Sequence, residues 1–70
     1  MIQPGQIYAA CDGSGYRYRI DAYTPGGQHA HVTDLHTNRP KQVKAANLHD
    51  SDRTPSGEPR RTGYALEAQT

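Results

Sequence analysis

Residues 16–23 read YRYRIDAY, and this run constrains the fold more than any other stretch. Side chains on a strand alternate between its two faces. Tyr16, Tyr18 and Ile20 therefore fall on one face, and Arg17 and Arg19 on the other. A run this rich in aromatics, alternating throughout, predicts a half-buried strand. Two readings of the arginine row stay open: a solvated outer face, or a surface for an anionic partner. Asp21 shares that face and offsets its charge. Tyr23 has the same parity, so its ring is expected beside the arginines.

The tyrosines matter because the chain has little else to bury. Its 70 residues form one domain and include neither Phe nor Trp. The large aliphatics are Ile2, Ile7, Ile20, Val32, Leu35, Val43, Leu48 and Leu66. A chain of this size buries only about 60% of its unfolded surface. Low aliphatic content signals disorder when net charge is high, but here the formal net charge is +1. The sequence thus predicts a thin, tyrosine-rich core of Ile7, Tyr18, Ile20, Val32, Val43, Leu48 and Leu66. Such a core folds weakly alone or is helped by a partner or a second copy.

Turn signals cut the remainder into short strands. Pro4-Gly5 precedes a first strand, Gln6 to Ala10. The turn Asp12-Gly13-Ser14-Gly15 leads into the second strand, Tyr16 to Tyr23, and Thr24-Pro25-Gly26-Gly27 ends it. A third strand runs from Gln28 to Leu35, with Ala30 and Val32 inward. Leu35 breaks that parity, which predicts a bulge or a strand end near Asp34. Thr37-Asn38 is a tight-turn candidate, and Lys41 to Lys44 is a short fourth strand. Lys44 to Asp50 predicts one helical turn, too short for an independent helix. Ser51 to Arg61 is polar, holds two prolines and no apolar residue, and is expected to be a mobile surface loop outside any ladder. Thr62 to Glu67 closes the fold.

About five short antiparallel strands with one helical turn before the last predict an all-β protein, a small SH3-like barrel. Closure also removes the open edges that invite aggregation. The order Gly5-Gln6-Ile7-Tyr8, Arg17-Tyr18-Arg19-Ile20, Val32, Arg39, Val43 to Leu48 and Thr62-Gly63-Tyr64-Ala65-Leu66 resembles a group of small uncharacterised actinobacterial and phage proteins. The resemblance spans nearly the whole chain. It implies an SH3-like barrel and supplies no functional residues. The chain differs from that group in the loop from Ser51 to Arg61.

No catalytic motif is present. Ser14, Ser51 and Ser56 lie in turns or loops with no strand-to-helix nucleophile elbow. Asp12-Gly13-Ser14-Gly15 lacks the helix and lysine of a phosphate-binding loop. A barrel this small also lacks room for an ordinary substrate pocket, so the chain is read as a non-enzyme without cofactors. His29 and His31 share a strand face and could supply two metal ligands, with Asp34, His36 or Cys11 as the remainder. Both point to solvent by parity. A lone Cys11 forms no internal disulfide and reads as a small buried residue. No long apolar run predicts a membrane helix and no basic-then-apolar N-terminus predicts a signal peptide. These features predict a cytoplasmic protein with no membrane partner.

The basic residues remain. Arg17, Arg19, Arg39, Lys41 and Lys44, with Tyr23, form the candidate binding set. Arginine with an exposed ring suits single-stranded nucleic acid or RNA: cation for phosphate, ring for base. Against this, the pI near 8.0 lies below the value above about 9 expected of a nucleic-acid domain. The sequence therefore ranks a nucleic-acid module first and a protein-interaction module, such as a phage or mobile-element factor binding a host protein, second. A metal- or redox-responsive protein using Cys11, His29 and His31 is third. It does not fix the oligomeric state.

Overall fold

The strand expected from YRYRIDAY spans Arg17–Ala22 and lies inside a single six-stranded sheet. The computed structural model describes residues 2–68. Its strands are β1 (Ile7–Ala10), β2 (Arg17–Ala22), β3 (His29–Asp34), β4 (Arg39–Lys44), β5 (Leu48–His49) and β6 (Tyr64–Ala68). A 3-10 turn, Ala45–Asn47, joins β4 to β5. The spatial order is β4-β3-β2-β1-β6-β5. Neighbours pair antiparallel except β5 and β6, which are parallel. The all-β expectation holds, but there are six strands rather than five. The sheet is open, because β4 and β5 form its two edges and do not pair. Among the described residues no helix is long and apolar enough to cross a membrane.

The sixth strand comes from the segment expected to hold one helical turn, and that turn is present. Only Ala45–Asn47 turns; Leu48 returns to extended backbone at φ −99° and ψ 115°. Leu48 and His49 then pair with Tyr64 and Ala65. Two strands therefore follow the turn instead of one. The fourth strand also starts earlier than expected, at Arg39, and includes Pro40. The ladder explains why proline is tolerated. Ala45 N donates to Gln28 O at 2.9 Å, and antiparallel bonding alternates along a strand. In this register Pro40 lies opposite Thr33 at a non-bonded position. Its missing N–H faces the open edge and costs the sheet nothing.

Facing follows the bulges. Tyr18, Ile20, Ala30, Val32 and Val43 are buried, and Tyr8 joins them at 1% exposure. Ile2, Tyr23, Leu48, Tyr64 and Leu66 pack around this cluster. Ile7, expected in the core, is half-buried on the other face opposite Arg19. Period two admits only one of Ile7 and Tyr8 to the interior. Tyr8 takes the place because its hydroxyl has a partner there: it donates to Oε1 of the buried Gln6 at 3.0 Å. A bulge in β2 corrects the reading of Tyr23. Ile20 pairs with Val32 but Ala22 pairs with His31. One extra residue on β2 inverts the parity beyond it. Tyr23 turns inward, and its hydroxyl donates to Gly27 O at 3.2 Å.

The segment Ser51 to Arg61 folds on itself. Arg53 and Pro59 form an isolated antiparallel bridge. Thr54 N donates to Glu58 O at 2.8 Å and Arg60 N to Asp52 O at 2.7 Å. The expectation that its prolines exclude it from any ladder is corrected, since Pro59 occupies the bridge position that needs no N–H. This hairpin borders a groove lined by Ala9, Cys11, Asp52, Pro59, Arg60 and Ala65.

Gly63 fixes the entry to β6. Its φ is +76°, and an added Cβ would lie 3.0 Å from both Asn47 O and His49 Nε2. Gly63→Ala is expected to cost more than about 1 kcal/mol, combining left-handed strain with a clash against backbone. Gly13 has a similar φ of +84° but open space around it, so Gly13→Ala should cost less. Denaturant midpoints of the two variants check this; equal losses would remove the contact from the explanation.

Candidate functional site

The arginine row is outward-facing, and its charge is already spent. Arg17 forms an ion pair with Glu67, and Arg19 Nε lies 3.2 Å from Asp21 Oδ1. Asp21 is the residue at the bulge. It also accepts a hydrogen bond from the Thr33 hydroxyl, and these bonds hold its carboxyl below the usual range, Thr33 contributing most. All four charged side chains are substantially exposed. Such pairs are worth about 0–1 kcal/mol and mainly neutralise the surface locally.

The cations of β4 have no such partners. Among the described residues no carboxylate lies within ion-pair distance of Arg39, Lys41 or Lys44. Register separates them: Arg39 and Lys41 share the row of Val43, while Lys44 lies opposite His29 on the outer row. β4 is a sheet edge, so groups from both rows border the same open rim. The six residues singled out from sequence thus do not converge. Arg17 and Arg19 lie on the outer face of β2, Tyr23 packs against the core, and only the three β4 residues remain as unpaired charge.

An aromatic cluster accompanies them. The turns after β1 and after β3 lie at the same end of the sheet, because β2 runs away from that end and β3 returns to it. Tyr16 and His36 come from these two turns. Their rings meet edge to face at 6.0 Å, and Tyr16 stacks on Tyr18 at 6.5 Å with 25° between planes. Tyr64 meets Tyr18 edge to face at 5.1 Å. Lys41 Nζ sits 5.1 Å from the Tyr18 ring centre and 3.4 Å from its hydroxyl. Hydrogen bonding to Tyr18 raises the Lys41 pKa, keeping the ammonium charged. Tyr18 is buried, whereas Tyr16 is 44% exposed. Tyr16 shares the face of Tyr18 and Ile20, but the strand begins one residue later, at Arg17, and leaves its ring only partly covered at the rim. His36 entered the sequence reading only as a possible metal ligand; the hairpin order brings its turn beside Tyr16.

The histidine and cysteine candidates lie elsewhere. His29 and His31 are exposed, and His31 Nδ1 lies 3.5 Å from Gln42 Nε2. Among the described residues no group of three or more His, Cys, Asp or Glu side chains could hold a metal ion. Cys11 is half-buried, and burial raises its pKa while Arg60 opposes the rise. A raised pKa favours the thiol over the nucleophilic thiolate.

Comparison with protein-family models, curated proteins and solved structures found no match.

Proposed function

We propose that the chain is a non-catalytic SH3-like barrel module that binds single-stranded nucleic acid along the β4 edge. The observation that carries this reading is the set Arg39, Lys41 and Lys44 along the β4 edge, none of which forms an ion pair among the described residues, with Lys41 over the Tyr18 ring on which the partly exposed Tyr16 stacks. Closure is supported by the crossing from one sheet edge to the other. Lys44 ends β4 and Leu48 begins β5, and four residue steps span at most about 14 Å. The edges are therefore held close, and the sheet curls strongly. A cytoplasmic setting belongs to the same reading, in keeping with a single cysteine and no disulfide.

The test is equilibrium binding to a labelled mixed-sequence single strand at two salt concentrations. Three phosphate contacts imply a log–log slope of about −2, at roughly 0.7 per contact. Undetectable binding at low salt would promote the second reading, a protein-interaction module. That reading has one observation in its favour: the open edge of β4 leaves the backbone of Gln42 and Lys44 unpaired by a neighbouring strand. Pro40 and three cations at the same edge discourage strand addition.

A further inference from the structure

We infer that Tyr16 is a stacking platform for one unpaired base, with the adjoining phosphates held by Arg39 and Lys41. The inference rests on the proposed nucleic-acid reading and assigns its base contact. Tyr16 stacks on Tyr18 through one face, and His36 braces the ring. The residue keeps 44% exposure, so its ring is held in place while the side chain stays accessible to a ligand. No hydrogen bond to the Tyr16 hydroxyl is present among the described residues, and neither Tyr16 contact needs that group. The same buried ring, Tyr18, supports Tyr16 through stacking and Lys41 through its π face and hydroxyl. Ring and cation are therefore positioned by one rigid element rather than by two mobile ones. Arg39 is two residues from Lys41 on the same row.

This arrangement selects the class of ligand. A base inside a duplex is stacked on its neighbours and cannot lie on a protein ring, whereas an unpaired base can. Stacking on one tyrosine tolerates any base, because every base presents a π face. The surface therefore fits a short single strand without sequence preference. The Arg17 and Arg19 face has its cations paired to Glu67 and Asp21. It offers no comparable free cation for the phosphates.

The experiment compares two labelled single strands of about ten nucleotides, one with bases and one abasic with the same phosphates. Titrations at low salt use the parent, Tyr16→Ala and Tyr16→Phe, with thermal melts to confirm folding. The parent should bind the base-bearing strand roughly 5- to 150-fold tighter than the abasic strand, the range expected of one stacked base. Tyr16→Ala should erase that preference and leave abasic binding unchanged. Tyr16→Phe should keep it, since the hydroxyl makes no contact used here. Abasic binding by a parent that shows no preference overturns the stacking site and leaves the nucleic-acid reading standing. A preference that survives Tyr16→Ala places the base contact elsewhere and also overturns it. Failure of the parent to bind either strand overturns both.

Discussion

Ile20→Ala is expected to remove about 2–5 kcal/mol of stability. Ile20 is 1% exposed and lies directly opposite Val32, itself 1% exposed. Truncation deletes three carbons from the centre of a core that has no Phe or Trp to close over the gap. A domain of this length holds roughly 4–10 kcal/mol in total, so about half of the stability goes. The melting temperature should fall by at least about 10 °C. Ile7→Ala supplies the contrast. Ile7 is half-buried on the opposite face, and its loss should be less than half as large. Thermal and denaturant melts of both variants measure the difference. An Ile7→Ala effect equal to that of Ile20→Ala would mean that β1 faces the other way.

The second large effect is functional. Replacing Arg39, Lys41 and Lys44 together with alanine should nearly abolish binding to a single strand. Each phosphate contact contributes roughly tenfold at about 50 mM salt through counterion release, so three losses give roughly 10²- to 10³-fold. The fold should survive. All three side chains are exposed, and Tyr18, which Lys41 covers, stays packed against Tyr64. Changing Arg17 and Arg19 together should do far less, because Glu67 and Asp21 already neutralise them. Releasing those two carboxylates makes the β2 face more acidic, so a weak loss of affinity is the expected direction.

Much of the fold is legible in the sequence because the second and third strands alternate cleanly. Tyr18, Ile20, Ala30 and Val32 are buried where parity puts them. What parity misses begins where the count of two breaks. The bulge between Ile20 and Ala22 turns Tyr23 inward, and nothing in the residue types marks an extra residue there. In the first strand, Ile7 and Tyr8 are both fit for a core, and the choice depends on Gln6 being placed to accept the Tyr8 hydroxyl. The one helical turn expected within Lys44 to Asp50 is present at Ala45–Asn47, but short-range propensity does not show the strand that follows, which long-range pairing of Leu48 and His49 with Tyr64 and Ala65 creates.

The candidate site was legible only as a list of cations. Sequence shows that Asp21 can offset the arginine row, and the structure places it 3.2 Å from Arg19. The partner of Arg17 was not visible, because Glu67 reaches it across β1 from the far end of the chain. The Tyr16–His36 contact is likewise non-local, made by two hairpin turns at one end of the sheet. Charge count and parity identify which residues face outward. Only the pairing of strands tells which of those charges remain available.

That availability is the central claim, and the salt dependence of binding tests it most directly. Affinity for a mixed-sequence single strand would be measured across a salt series for the parent, the Arg17/Arg19 double alanine variant and the Arg39/Lys41/Lys44 triple alanine variant. The predicted log–log slopes are about −2 for the parent, about −2 for the double variant and close to zero for the triple variant. A slope that flattens in the double variant while the triple variant keeps the parent's would place the phosphate contacts on β2 and contradict the account.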